Sequence, residues 1–367
     1  MNRNLFKRAM AGGAAAVLAV SLAACASDDD AGDPTSPGSG DNGGNGLSGD
    51  IVGAGATFPT PLWTTFIAEY GDVEPGVRIN YQSVGSGAGI TQFLEQTVDF
   101  GSSERYLEDE ELADAEADRG CPAFQVPVVY GSVVIAFNDE SLDGLTLDAE
   151  IIARIYDRQI TNYNDPAIAE LNPDFDLPDQ EIIPVHRSDG SGTTNVFTLY
   201  LEDEVDFWAD EYGAGTEVDW ASGTIGGEGN EGVSAGITQN AGGFGYVNQS
   251  YAIELGLPQA QLINADGNEI YPTLEATSAG LDGLEIPDSY QFSILGIGGE
   301  GYPITGAVWN FFYECGYDDN KAELLQEFWS WALQDGNEYA TELGYAPLGD
   351  AVRDRVLSEL DRIGQQD

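Results

Sequence analysis

"EIIPVHRSDGSGTTNVFTLY", residues 181–200, passes from an apolar stretch through a short polar corner into a second apolar periodicity. The first half reads as a strand. Ser191 stands where a helix begins, and Val196, Phe197 and Tyr200 follow at helical spacing. A strand feeding a helix through a glycine-rich corner is the building unit of an α/β protein. The corner is also a chemical feature. Arg187, Ser191, Gly192 and Thr193 all offer hydrogen-bond donors, and they lie beside His186, the chain's single histidine. A helix N-terminus leaves N–H groups unpaired and carries roughly half a positive charge, so donors gathered there suit an anion.

Working outward, the same unit recurs. "DIVGAGATFP" reads as a short strand turning through Gly53 and Gly55 toward Thr57 and Phe58. The helix after it has Leu62, Trp63, Phe66, Ile67 and Tyr70 on one face, with Pro61 early and Gly71 expected past its end. "VRINYQSV" alternates as a strand, Gly85-Ser86-Gly87 turns, and Ile90, Phe93 and Leu94 mark the next helix. "VDFGSSE" is a further strand. "FQVPVVYGSVVIAFN", residues 124–138, is too continuously apolar for a surface hairpin and predicts a long buried strand, one that crosses between lobes. "KAELLQEFWSWAL" and "DAVRDRVLSEL" close the chain as helices. The alternation predicts an α/β class with largely parallel pairing, and no repeat of 20–50 residues is visible. One glycine-rich corner is ordinary capping. Three with an arginine point to a convergent oxyanion site.

Neither nucleotide motif fits. The 189–193 corner lacks the lysine of a P-loop, and "GSGAGI" misses the last glycine of G-x-G-x-x-G. Ser191 is not in G-x-S-x-G, since its flanks are Asp189 and Thr193. That weakens a hydrolase, although His186 remains available as a base for Ser86 or Ser191. A structural histidine is the plainer reading.

The chain has 367 residues, enough for two lobes at about 150 residues each. Its 63 Asp+Glu against 13 Lys+Arg give a net charge of −50, and lysine occurs only at Lys7 and Lys321. Nucleic acid and anionic membrane surfaces are poor partners for such a chain. Salt adaptation accounts for the charge, because at molar salt the Debye length falls to about 3 Å. An acidic secreted protein from a lysine-poor lineage is the alternative. Arg3, Lys7 and Arg8 precede an apolar run ending in Leu22-Ala23-Ala24-Cys25, which reads as a leader over 1–24 with a lipidation site at Cys25. Residues 25–49 are mostly Gly, Ser, Pro and Asp, which reads as a flexible acidic tether. An anchored domain outside the cell is implied. That compartment permits a disulfide between Cys121 and Cys315, with two reduced buried cysteines as the alternative.

With these residues in view, the chain resembles the phosphate-binding proteins of bacterial high-affinity phosphate ABC transporters. The likeness runs from about Asp50 onward through "GAGATFP", "YQSVGSGAG", "VDFGSSE", "HRSDGSGTT", "GNEGVSAGITQNAGGFGYV" and "YPIT", in order. It implies a two-lobed, type II periplasmic-binding fold, with residues 50–130 and 301–367 in one lobe and 131–300 in the other. It implies a phosphate site made by Thr57, Phe58 (through its N–H), Ser86, Glu104, Arg187, Ser191, Gly192 and Thr193, with Asp189 orienting Arg187. The family usually has aspartate where this chain has Glu104. The resemblance further implies no catalysis, no cofactor and no metal, a monomer, and membrane permease subunits as partners. The alternatives are another tetrahedral oxyanion (arsenate, sulfate, molybdate) or a secreted phosphatase or esterase.

Overall fold

The computed structural model describes residues 46–365. The expected leader, Cys25 and the tether through residue 45 lie outside the described residues. β1 (Ser48–Gly55) leads to α1 (Thr60–Val73), β2 (Gly76–Ser83) to α2 (Ser86–Leu94), and β3 (Phe100–Ser103) to α3 (Asp109–Arg119). The strand starts at Ser48, two residues inside the expected tether, because Ser48 and Gly49 pair with Gly76 and Val77 through backbone alone. Gly53 belongs to β1 and is not a turn. A Cβ there would lie 2.1 Å from the Phe100 ring, so glycine admits the ring against the strand. Nor does Gly71 end α1, which continues to Val73.

β4 (Ala123–Phe137) is the predicted long strand, 15 residues and buried from Phe124 onward. Next come β5 (Thr146–Leu147), α4 (Ala149–Tyr156), α5 (Pro166–Leu171), β6 (Ile183–Arg187), α6 (Gly192–Glu204) and α7 (Asp206–Glu211). β7 (Ile225–Gly227), α8 (Gly229–Gln239), β8 (Gly243–Asn248), α9 (Gln249–Leu255), β9 (Gln261–Ile263), β10 (Glu269–Ile270) and α10 (Leu274–Ala279) follow. β11 (Thr305–Tyr313) returns, and α11 (Asp319–Gln334), α12 (Asn337–Glu342) and α13 (Asp350–Leu360) close the described chain.

Eight strands form one curled sheet in the order β2-β1-β3-β11-β4-β8-β6-β7, and β10-β9-β5 form a small one. Pairing is parallel at both ends of the large sheet, β1 with β2 and β3, and β6 with β7 and β8. Its centre is antiparallel, which the expectation of largely parallel pairing did not include. β4 pairs with β11 through Ser132 and with β8 from Val133, so one strand belongs to both lobes. The register slips between Val308 and Trp309, opposite Val129 and Pro127. Proline has no N–H for the ladder, and a bulge is where a central strand tolerates it.

Cys121 and Cys315 are bridged, joining the start of β4 to the segment after β11 across a sequence separation of 194. So long a closed loop removes much chain entropy from the unfolded state. Replacing both cysteines by serine is expected to cost about 2–5 kcal/mol, read as a lower urea midpoint. An unchanged midpoint would show that the bridge contributes nothing.

Candidate anion-binding site

The three corners meet. At the first, between β1 and α1, the Thr57 hydroxyl accepts from the Asn230 backbone N–H at 3.0 Å and from its amide Nδ2 at 2.9 Å. The carbonyls of Thr57 and Phe58 each accept a tyrosine hydroxyl at 2.6 Å, from Tyr251 and Tyr345 respectively. Those bonds fix the peptide that carries the Phe58 N–H. The Phe58 ring is fully buried, edge-on to Tyr345.

The second and third corners interlock backbone to backbone. The Gly87 N–H donates to the Gly190 carbonyl at 2.9 Å. Gly85 has a positive φ of +86, which favours glycine, and a Cβ there would sit 2.4 Å from the Asp189 carboxylate. In the third corner the Ser191 hydroxyl accepts from the Thr194 N–H and caps α6. Its O–H is left to donate.

Glu104 follows β3 and is only 2% exposed. Ser86 Oγ donates to its Oε2 at 2.7 Å, and Thr193 Oγ1 donates to its Oε1 at 3.1 Å. A Cβ on Gly192 would come within 2.1 Å of Oε2, so glycine is what allows this carboxylate onto the first turn of α6. Burial pushes the Glu104 carboxyl above its ordinary value, against the lowering effect of Ser86, Arg187 and Thr193.

Arg187 lies at the end of β6 with its side chain 1% exposed. Its Nε donates to Asp189 Oδ1 at 2.8 Å, and its Nη2 donates to Asp189 Oδ2. Nη1 reaches Thr193 Oγ1 at 3.4 Å. Asp189 also accepts the Gly229 N–H at 3.0 Å. Burial alone would lower the arginine pKa, but the Asp189 hydrogen bond and charge outweigh it and hold it above its usual range. Burial likewise opposes the Asp189 charge, and Arg187 overcomes it, holding that carboxyl below its usual value. This is a bidentate clamp that aims a permanent cation.

The residues expected at the anion site, Thr57, Phe58, Ser86, Glu104, Arg187, Asp189, Ser191, Gly192 and Thr193, are therefore near one another. Asn230 was missed. It is fully buried and donates through Nδ2 to both Thr57 and Thr193, while its own oxygen accepts the Asn248 N–H at 2.9 Å. Its signal was a fourth corner of the same kind, Gly226-Gly227-Glu228-Gly229, between β7 and α8. His186 is turned to other work. Its ring stacks on Trp220 with centroids 4.8 Å apart, and Nδ1 faces the Arg187 carbonyl at 2.8 Å. Burial lowers its pKa. Among the described residues no His, Cys, Asp and Glu cluster could hold a metal ion, and no helix is long and apolar enough to cross a membrane.

The description "PBP superfamily domain" fits residues 34–335. The phosphate-binding protein PstS of Pasteurella multocida is 34% identical over 314 residues, 84% of this chain and 89% of the relative. PstS of Xylella fastidiosa is 36% identical over 303 residues, 81% of each chain. Among solved structures, the high-affinity periplasmic phosphate-binding protein PfluDING bound with phosphate superposes with TM-score 0.72 at 21% identity, covering 87% of this chain and all of that one. A human phosphate-binding apolipoprotein superposes with TM-score 0.70, also at 21% identity, covering 84% of this chain and 94% of its own. These two likenesses concern the fold, and they match its two lobes and curled sheet. Sequence and architecture agree: the chain belongs to the PBP superfamily and, within it, to the family of the PstS phosphate-binding proteins.

Proposed function

We propose that this protein captures inorganic phosphate between its lobes and delivers it to an ABC importer. Thr57, Phe58, Ser86, Arg187, Ser191, Gly192 and Thr193 supply the donors, Glu104 supplies an acceptor, and Asp189 aims Arg187. One observation carries the reading: a buried carboxylate sits among the donors, bonded to Ser86 and Thr193. Donors alone suit any oxyanion. A carboxylate beside them suits an anion that still bears a proton, and phosphate does while sulfate does not.

The lobes we assign are 50–130 with 301–367, and 131–300. The partner change in β4 at Ser132–Val133 and the return along β11 from Thr305 support these limits. Bonds between the two, such as Asn230 to Thr57 and Thr193 to Glu104, favour closure over the site. The permease subunits of the importer are the partners, and the domain works outside the cytoplasm, lipid-anchored at Cys25 and monomeric. The chain performs no chemistry in this role. His186, the base a serine hydrolase would draw on, is instead stacked on Trp220 with Nδ1 against its own strand.

Titration calorimetry of the purified protein tests the reading. Phosphate is expected to bind one to one, arsenate comparably because it keeps a proton, and sulfate weakly. Turnover of a chromogenic phosphate ester, lost in Ser191→Ala, would replace binding by hydrolysis. The net charge of −50 repels an incoming anion at long range, so stopped-flow on-rates for phosphate are expected to rise with added salt. A flat or falling on-rate would show that the surface field does not reach the cleft.

A further inference from the structure

Three consecutive carbonyls at the first corner each accept a tyrosine hydroxyl. Tyr81 of β2 donates to Ala56 at 2.8 Å, Tyr251 of α9 to Thr57 at 2.6 Å, and Tyr345, which precedes α13, to Phe58 at 2.6 Å. None of the described peptide bonds is cis. In a trans peptide the carbonyl and the N–H point in opposite directions, so a hydroxyl on one side leaves the donor facing out on the other. The Ala56 carbonyl shares its peptide with the Thr57 N–H, and the Thr57 carbonyl shares its peptide with the Phe58 N–H. Neither N–H has a hydrogen-bond partner among the described residues. A hydrogen bond accepted by a carbonyl polarises the peptide and strengthens its N–H as a donor. The Phe58 carbonyl differs, since the nitrogen beyond it is that of Pro59, which has no N–H. Tyr81 and Tyr345 lie in the same lobe as the corner. Tyr251 comes from the other lobe, is 5% exposed, and has a second acceptor in its own lobe, Glu231 Oε1 at 2.9 Å.

We propose that Tyr251 is a positioning residue of the anion site, which acts on the Phe58 N–H through the Thr57 carbonyl and does so only while the lobes are together. The proposal rests on the phosphate-binding reading and deepens it by naming a residue that couples closure to donor strength. Tyr81 serves the Thr57 N–H in the same way from within its own lobe, so that donor is prepared before the ligand arrives. The Phe58 N–H is completed from across the cleft. When the lobes part, the Tyr251 proton turns to the exposed Glu231 carboxylate, so the phenol keeps a partner and opening is not blocked. The Thr57 carbonyl keeps the Thr60 N–H at 3.2 Å, so the start of α1 does not depend on the tyrosine. The cross-lobe bond forms after capture. It therefore lengthens the stay of the ligand without changing how fast the ligand enters.

The test is stopped-flow binding of inorganic phosphate together with amide NMR, on purified wild type, Tyr251→Phe and Tyr81→Phe. Tyr251→Phe is expected to raise koff about three- to tenfold, the effect of one neutral hydrogen bond, with kon within about twofold of wild type. Its Phe58 amide proton should lie upfield of the wild-type signal with phosphate bound and coincide with it without phosphate. Its urea midpoint without phosphate should match wild type, whereas a purely structural hydroxyl would lower it. Tyr81→Phe supplies the contrast, because its bond lies within one lobe. That variant should show a lower midpoint and a displaced Thr57 amide signal with and without phosphate alike. An unchanged koff in Tyr251→Phe overturns the proposal. So does a Phe58 amide displaced equally in both states, or a midpoint lowered in the absence of phosphate. Wild type that binds no phosphate overturns the earlier reading instead.

Discussion

Arg187→Ala is expected to lower phosphate affinity by about a hundred- to several-thousandfold, with the protein still folded. The guanidinium is the one permanent cation in the donor ring, and its side chain is all but sealed from water. Removing it takes away a charge-assisted hydrogen bond to the ligand, worth about 1.5–3 kcal/mol. It also strands the Asp189 carboxylate, which would then face the anion without its counter-ion. Truncating one partner of a buried, hydrogen-bonded charge pair at a binding site costs about 2–5 kcal/mol of binding, a range that brackets the stated loss. Arg187→Lys keeps a charge but not the fork, so it should fall between the two. A loss below tenfold in Arg187→Ala would remove the arginine from the site. The same variant has a pH signature. Arg187 holds the Asp189 pKa down, so in wild type the pair adds stability above the unfolded aspartate pKa, and that stability disappears as pH falls through the depressed value. Arg187→Ala should lack this acid-side loss. Urea midpoints collected from neutral to acid pH read it directly.

The parts of this site that were legible from the chain are local ones. Each corner announces itself within a few residues, because capping hydroxyls, glycines and the following apolar period must all be adjacent for a helix to start there. Arg187 and Asp189 are two positions apart, so their pairing is local as well. Asn230 has its meaning in a contact with Thr57, 173 residues away, and the three-residue strand before it is too short to show a period. The antiparallel centre of the sheet was hidden for the same reason. β4 and β11 are both continuous apolar runs, and a run buried on both faces has no alternation to show which way its neighbour points. Gly53 reads locally as a turn, while the reason for its glycine, the Phe100 ring, arrives from another strand.

Glu104→Gln should collapse the discrimination between phosphate and sulfate by about a thousandfold or more, since a site built to bond a ligand's donor rejects analogues without one by about four to five orders of magnitude. The carboxylate accepts only. Against a fully ionised anion it offers repulsion and an unmet hydrogen bond in a buried place, whereas phosphate's remaining proton satisfies it. Glutamine has the same reach but carries an amide N–H₂, so sulfate gains a donor where it met a charge, and phosphate loses comparatively little. If sulfate stays as strongly excluded as in wild type, the filter lies elsewhere. Gly192 leaves room for the Glu104 carboxylate against the first turn of α6, so a side chain of this length meets the Ser86 and Thr193 hydroxyls there. Stability gives a second, independent reading. Burial raises the Glu104 pKa from its ordinary 4.5, so the folded protein holds that proton more tightly than the unfolded chain. Stability therefore falls as pH rises from about 4.5 toward the raised value and levels off above it. The glutamine variant has no such proton to lose, and its urea midpoint should exceed that of wild type by a margin that grows across this window. A parallel pair of curves would mean that the cost of ionising Glu104 is already met by Ser86, Thr193 and Arg187, and that the carboxylate is held charged for phosphate at no expense to the fold.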